Sequence, residues 1–512
     1  MRKTQAIMVQ GTSSNVGKSM LCTALCRIFA QDGYKTAPFK AQNMALNSTV
    51  TPDGGEIGRA QGAQAEAAGV APSVLMNPIL IKPKQDSQAQ IVTLGVPYAD
   101  MSATDYRRDF LPGAVSIVRD CLQKLKEQYE VLVIEGAGSP AEVNLKDRDI
   151  VNMKTAELAE APVLLVADID RGGVFASLIG TLELLEPHEK ERVKGFIINK
   201  FRGDISLLQS GLDFLSQRTG IPVLGVVPYV HDHGIDEEDS VCLSERASWG
   251  NEQDPIQVAV MQLPRISNFT DINAFIGLPD TRVYYVRPGE AIGQADLLII
   301  PGTKNSILDM LYLQQKGYVQ EIRRLAEAGA YVVGICGGFQ MLGEELLDPE
   351  GNEADIGSLP GLGLLPVTTL FGRNKSTHQA QASIVSRQGI WRHLHGQEVK
   401  GYEIHMGQST LIDQNCSLTH IFSRSGERCS VADGACSDSG KVFGTYLHGI
   451  FDNSNVMLGI MNQIRQEKGL PALSAGDLPV MQRQHKYDQW ADLVRASLDM
   501  NKIYQIMGWG EA

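Results

Sequence analysis

Cys336 lies in Gly334-Ile-Cys-Gly-Gly338, between the apolar run Tyr331–Val333 and a segment of helical periodicity. Glycines at this spacing permit the sharp strand-to-helix turn that lifts a nucleophile out of a sheet. A sulfur at such a turn can attack a carbonyl carbon, and the helix N-terminus behind it favours negative charge there. The backbone N–H of Gly337 is placed to stabilise the resulting oxyanion. A small buried cysteine in a glycine-rich turn would read the same way, so the nucleophile needs a base, near in space rather than in sequence. His448, just beyond the apolar stretch Val442–Leu447, is the candidate. Leu297-Leu-Ile-Ile-Pro-Gly-Thr303 ends another apolar run in a turn whose Gly302 backbone could give the second oxyanion contact.

A second constellation opens the chain. Apolar Ala6–Val9 leads into Gly11-Thr-Ser-Ser-Asn-Val-Gly-Lys-Ser19, and Leu21, Leu25, Ile28 and Phe29 then mark one helix face. Strand, glycine-rich loop and helix is the context in which backbone N–H groups cradle phosphates. Gly11, Thr12 and Gly17 would shape that cradle, Lys18 would reach the outer phosphates of ATP, and Ser19 would bind Mg²⁺. The usual spacing has glycine where Thr12 stands, one residue after Gly11. Glu135 closes the apolar strand Val131–Ile134 and is the expected second Mg²⁺ ligand. Asp149, in the polar loop with Asp147, falls where a substrate carboxylate would be activated. Lys40, at a strand's end, could neutralise a phosphate or carboxylate, and the Asn199 amide could read adenine. His231 and His233 lack metal-ligand spacing and read as a solvated loop. Cys22 and Cys26, one helical turn apart, read as packing.

The elements that position these groups alternate. Runs at Ala6–Val9, Thr36–Phe39, Val131–Ile134, Val163–Ala167, Phe196–Ile198 and Val223–Val227 are each followed by a longer amphipathic segment. Such alternation predicts a parallel sheet covered on both faces. The acidic, polar stretch 236–253 reads as a linker. A second α/β pattern starts at 254, with strands at Val258–Leu263, Val283–Val286, Leu297–Ile300 and Tyr331–Ile335, and turns β-rich from Leu362–Leu370 onward. Residues 454–512 read as a C-terminal helical extension. The expected division is therefore a P-loop domain (1–235), a linker (236–253), a glutaminase-type domain (254–453) and the extension (454–512).

The 512 residues are enough for two full cores. A formal net charge of −13 argues against a general nucleic-acid binder. The eight cysteines are scattered without a CxxC pair, which suits reduced thiols and a cytoplasmic protein. No signal peptide and no membrane span is expected.

With these residues assembled, families emerge. Gly334-Ile-Cys-Gly-Gly-Phe-Gln340 resembles the class I glutamine amidotransferase signature, in which Gln340 belongs to the glutamine-binding side of the site. Gly11-Thr-x-x-x-x-Gly-Lys-Ser19 and Glu135-Gly-Ala-Gly138 resemble dethiobiotin synthetase. Their fusion resembles the cobyric acid synthase family, as do Phe39-Lys-Ala-Gln-Asn-Met44, Asp149-Ile-Val-Asn-Met153, Asp170-Arg-Gly-Gly-Val-Phe175 and Gly401-Tyr-Glu-Ile-His-Met-Gly407. The resemblance implies an α/β chain, a P-loop parallel-sheet domain plus a class I amidotransferase domain. It implies amidation of the b, d, e and g carboxylates of adenosylcobyrinic acid a,c-diamide with ATP, Mg²⁺ and glutamine. The expected partners are that corrinoid, glutamine and ATP, without nucleic acid or membrane and with a homo-oligomer allowed. The chain departs from the His-Pro-Glu of many class I amidotransferases. His448-Gly-Ile450 has isoleucine at the glutamate position, so Cys336 and His448 stand as a dyad, with Asp452 and Glu403 as candidates for the orienting group. Competing readings are a cobyrinic acid a,c-diamide synthase, a CTP synthase-like ligase, or a regulatory P-loop ATPase with an inactive amidotransferase domain.

Overall fold

In the computed structural model, residues 4–85, 88–230, 235 and 248–509 are described. His231, His233, Cys242 and most of the expected linker (236–247) lie outside them. The chain forms two compact units. The first comprises Met1–Ala45, Ile57–Asp236 and Arg483–Ala512, and the second Leu46–Glu56 and Glu237–Gln482.

The first unit is built on six parallel strands: β1 (Gln5–Gly11), β2 (Thr36–Phe39), β3 (Val131–Glu135), β4 (Val163–Asp168), β5 (Val193–Phe201) and β6 (Val223–Pro228). Their order is β6-β5-β4-β1-β3-β2. Every residue of β2, β3 and β4 is buried. Continuous apolar strands of this kind are what a sheet covered on both faces requires. The chain passes from β1 to one side of the sheet and returns to the other after β3. This makes the carboxyl end of β1 a topological switch point, where such sheets bind ligands. The loop after β1 leads into α1 (Lys18–Gln31). A smaller mixed sheet (Gln42–Met44, Ile79–Gln85, Gln88–Thr93 and Val96–Ser102) and α2 (Arg59–Ala67) complete this part of the unit.

The second unit has a parallel core of β7 (Ile256–Met261), β8 (Thr281–Val286), β9 (Leu297–Ile300), β10 (Tyr331–Ile335) and β13 (Val442–Thr445), in the order β8-β7-β9-β10-β13. Antiparallel strands continue the same sheet, dominated by β11 (Val367–Ile384) and β12 (Glu398–Leu411). The β-rich part opens with the short strands Glu345–Asp348 and Gly357–Pro360, and β11 overlaps the expected stretch Leu362–Leu370 only from Val367 onward. The helix α4 (Gly337–Leu342) leaves β10 directly after Cys336.

Residues 454–512, expected as one extension, divide. The helix Ser454–Glu467 stays with the second unit. The helix α5 (Arg483–Ser497) and the residues after it belong to the first. There Trp490 Nε1 donates to the Met20 carbonyl at 2.8 Å, and Arg27 pairs with Asp488 at 2.8 Å. Among the described residues no helix is long and apolar enough to cross a membrane.

Candidate functional site

In the second unit, Cys336 adopts φ 51° and ψ −108°, a strained backbone for a residue with a β-carbon. The turn is packed so tightly that a β-carbon on Gly338 would lie 1.9 Å from the Ile300 carbonyl oxygen, which is why glycine stands there. The Cys336 N–H is held by the Thr445 carbonyl at 2.8 Å, and its thiol reaches the Ile404 carbonyl at 3.4 Å. The oxyanion candidates converge. A β-carbon on Gly302 would lie 3.1 Å from His448 Cε1, and one on Gly337 would lie 3.1 Å from the Thr303 nitrogen. The turns that carry Gly302 and Gly337 therefore abut.

His448 is fully buried. It is placed by a two-way backbone bridge with Tyr402, His448 N–H to Tyr402 O at 2.9 Å and the reverse at 3.0 Å. The Tyr402 ring stacks on the imidazole, centroids 5.1 Å apart. His448 Nδ1 is 2.7 Å from Asp271 Oδ2, and Asp271 Oδ1 accepts the Gly449 N–H at 2.6 Å. His448 Nε2 has no hydrogen-bond partner among the described residues and faces the Cys336 thiol. The structure thus brings together Cys336, His448 and Asp271, residue types that could serve as nucleophile, base and orienting carboxylate.

Neither candidate for the orienting group takes that place. Glu403 is bound bidentately by Arg424 at 2.8 Å for each bond, and approaches His405 Nε2 at 3.4 Å. Asp452 belongs to the short turn after His448, its N–H bonded to the Gly449 carbonyl. Asp271 lies on a 3-10 helix, Phe269–Phe275, beyond the carboxyl end of β7. A sequence signal existed: an acid in a short polar stretch, Ser267-Asn-Phe-Thr-Asp271, just past a core strand on the ligand side of the sheet. Gln340, expected on the glutamine-binding side, makes two side-chain hydrogen bonds. Its Oε1 accepts from Ser306 Oγ at 2.5 Å and its Nε2 donates to the Tyr446 hydroxyl at 3.2 Å, so its amide braces the elbow.

Burial works against charge on His448, but the Asp271 carboxylate outweighs it, with Cys336 adding to the effect. The imidazole pKa is pushed up to about 10. This has a consequence for stability. The folded value lies above the unfolded value of about 6.5. The pairing therefore stabilises the fold fully below about pH 6.5, and its contribution disappears as pH rises through the folded value. Asp271→Asn is expected to lower the Tm most near pH 6, with the gap from the parent closing as pH approaches 10. Thermal denaturation over that range checks it; a gap that widens with pH contradicts it.

In the first unit, Glu135 gathers the predicted groups. Ser19 Oγ donates to its Oε1 at 2.8 Å, and Lys40 Nζ lies 2.8 Å from the same oxygen. Gln64 Nε2 donates to Oε2 at 2.7 Å, and Gln61 Nε2 is 3.5 Å from it. Burial raises the carboxyl pKa, but the Lys40 charge and the bonds from Lys40, Gln64 and Ser19 bring it below the ordinary value. Glu135 is therefore an ionised, buried carboxylate beside a serine hydroxyl, a hard oxygen pair that suits Mg²⁺. Lys40 neutralises this carboxylate within the protein. Lys18 Nζ bonds the carbonyls of Ser13 (2.9 Å) and Gly138 (3.1 Å), which hold it over the loop.

Two more of the expected site residues bond to backbone. Asn199 gives its amide N–H to the Val16 carbonyl at 2.8 Å, and a β-carbon on Gly17, whose φ is 95°, would meet that amide at 2.2 Å. This bond braces the phosphate loop. Asp149 accepts the N–H groups of Val151 (2.8 Å), Asn152 (3.0 Å) and Met153 (3.1 Å), and so caps the helix α3 (Met153–Ala159). Three backbone N–H groups thus hold its carboxylate in place. One strand-end acid escaped the reading. Asp168 closes β4 on the other side of β1 and pairs with Lys200 at 3.0 Å, and the signal is the same one that marks Glu135.

Residues 257–456 match the CobB/CobQ-like glutamine amidotransferase domain, and residues 7–239 match the CobQ/CobB/MinD/ParA nucleotide binding domain. Asp271, Cys336 and His448 fall in the first match, and Lys18, Lys40 and Glu135 in the second. The chain is 58% identical over 513 residues to the cobyric acid synthase of Desulforamulus reducens, covering 100% of this chain and 99% of that one. The chain belongs to the cobyric acid synthase family. Identity to the cobyric acid synthase of Dehalococcoides mccartyi strain 195 is 51%, over 98% of each chain. To that of Salmonella agona it is 48%, again over 98% of each.

Proposed function

We propose that this chain is a glutamine-hydrolysing amidoligase that amidates the b, d, e and g carboxylates of adenosylcobyrinic acid a,c-diamide. The observation that carries this reading is the pairing, in one chain of this family, of an assembled Cys336–His448–Asp271 triad with the Ser19–Glu135 phosphate site. An intact triad also disfavours a regulatory ATPase with an inactive amidotransferase domain.

Residues 1–235 are assigned the ATP and corrinoid chemistry, and 254–453 the glutaminase. The corrinoid carboxylate attacks the γ-phosphorus of ATP, ADP leaves, and an acyl phosphate forms. Lys18 and the P-loop N–H groups stabilise the charge on the transferring group. Ser19 and Glu135 would hold Mg²⁺, which supplies further charge compensation. In the other half, the Cys336 thiol gives its proton to His448 and the sulfur attacks the glutamine amide carbon while the N–H groups around Gly302 and Gly337 hold the oxyanion. His448, charged and oriented by Asp271, protonates the leaving ammonia. Water, deprotonated by the then neutral His448, releases glutamate from the thioester. Ammonia attacks the acyl phosphate and phosphate leaves.

Mass spectrometry of a corrinoid diamide incubated with the enzyme, ATP, Mg²⁺ and glutamine tests this. Four successive exchanges of a hydroxyl for an amino group are expected, and an unchanged substrate would overturn the assignment.

A further inference from the structure

Residues Leu46–Glu56 interrupt the first unit in sequence but belong to the second. They form a short strap around the strand Ser48–Val50, with a turn closed by Thr51 N–H to Gly55 O at 2.7 Å. The strap touches the groups that hold the triad. The Ser48 N–H donates to Asn268 Oδ1 at 2.8 Å, and the Phe269 N–H donates to Asn47 Oδ1 at 3.3 Å. This reciprocal pair sits at the start of the helix that carries Asp271, where Asn268 has φ 52°. The Tyr402 hydroxyl approaches the Ser48 carbonyl at 3.4 Å, and Tyr402 is the ring stacked on His448. Val50 packs with Tyr402 and Ile404, and the Ile404 carbonyl accepts from the Cys336 thiol. Two further bonds fasten the strap to the same unit, Gln379 Nε2 to Val50 O at 2.5 Å and Lys375 to Glu56 at 2.5 Å, and Ser48 Oγ to Glu56 at 2.7 Å closes the strap on itself.

Its flanks lead to the other chemistry. Lys40 precedes it and Gln61 and Gln64 follow it, and all three reach the Glu135 carboxylate. One continuous stretch of chain thus contacts Glu135 before and after it contacts the supports of Asp271 and His448.

We propose that the 46–56 strap is a positioning element that couples glutamine hydrolysis to the state of the Glu135 site: a change in how Lys40, Gln61 and Gln64 bind Glu135 shifts the strap, and the strap shifts the Asp271–His448 pair. This rests on the function proposed above, in that nucleotide is taken to bind at Glu135. Coupling is a free energy between two sites, here carried by hydrogen bonds and packing within one segment.

The test uses the full chain and the Asn268→Gly variant, in which glycine accepts the positive φ but removes the amide that takes the Ser48 N–H. Asn268→Asp keeps an acceptor oxygen and serves as the conservative control. Glutamate release is measured alone and with ATP, Mg²⁺ and corrinoid diamide, and amidation is measured separately with ammonium. In the parent and in Asn268→Asp, ATP with corrinoid raises glutamate release. In Asn268→Gly that stimulation ratio falls at least about five-fold, while ammonium-supported amidation persists and shows the fold intact. Hydrogen exchange of residues 268–275 gives a readout that needs no corrinoid: ATP with Mg²⁺ changes it in the parent and not in Asn268→Gly. Equal stimulation ratios in parent and Asn268→Gly, no stimulation in the parent, or exchange at 268–275 indifferent to ATP would each overturn the coupling. Failure of the parent to amidate the corrinoid from ammonium would instead overturn the functional reading, with the exchange result still deciding the coupling.

Discussion

Asp271→Asn is expected to lower kcat for glutamine hydrolysis by about 10³- to 10⁴-fold, the size of loss seen when the carboxylate orienting a catalytic histidine becomes an amide. The reason lies in one hydrogen bond. Asp271 Oδ2 sits 2.7 Å from His448 Nδ1, and this contact both fixes the ring with Nε2 toward Cys336 and supports the imidazolium. An asparagine of the same shape can turn either its oxygen or its NH₂ toward Nδ1, but supplies no charge to offset burial. The Gly449 N–H keeps a partner in the variant only if the amide oxygen faces it, so the ring loses its orientation as well. Ammonium-supported amidation is expected to continue, since its chemistry is placed in the first unit. Parallel assays with glutamine and with ammonium chloride check this. Equal losses from both nitrogen sources would contradict the division of labour, and no loss from glutamine would remove Asp271 from the triad. Glu403→Gln provides the contrast, because its carboxylate serves Arg424 and His405, so the histidine keeps its orientation.

Lys18→Ala is expected to lower amidation from either nitrogen source by at least about 10²- to 10³-fold, the usual cost of deleting one preorganised group that stabilises transition-state charge. Lys18 Nζ bonds two backbone carbonyls, Ser13 O and Gly138 O, which set the ammonium over the loop. From that position over the loop it can reach the phosphate oxygens of a nucleotide held there. The alanine variant retains the β1–α1 turn, because the turn depends on Gly17 and on the Asn199 brace rather than on this side chain. Initial rates with saturating ammonium and varied ATP measure the effect. A variant that amidates at the parent rate would show that phosphate is handled elsewhere. Lys40→Met should act differently: it leaves Glu135 buried and ionised beside Ser19 without its cation, a change that destabilises the first unit as well as the site.

What sequence alone determined here is what short stretches of chain can build. The elbow at Cys336 and the loop at Gly11–Ser19 are local structures, set by glycine spacing, a preceding apolar strand and a following helix, so their chemistry was legible without a fold. Glu135 was legible for a related reason: a strand-end acid in a parallel sheet emerges on the ligand side whatever lies beside it. His448 could be named because a cysteine nucleophile requires a base and an apolar strand delivers one. The partners of these groups were decided by tertiary structure. Asp271 meets His448 across 177 positions of sequence, and Lys40 meets Glu135 across 95. No local pattern encodes such distances, which depend on strand order and on where each strand stops. The same holds for Asp149 and Asn199, whose polar groups had several chemically reasonable partners and were taken by nearby backbone. The strap at 46–56 is the clearest case. In sequence it is a turn-rich interruption of a P-loop domain, and only packing assigns it to the other unit, against the residues that hold the triad.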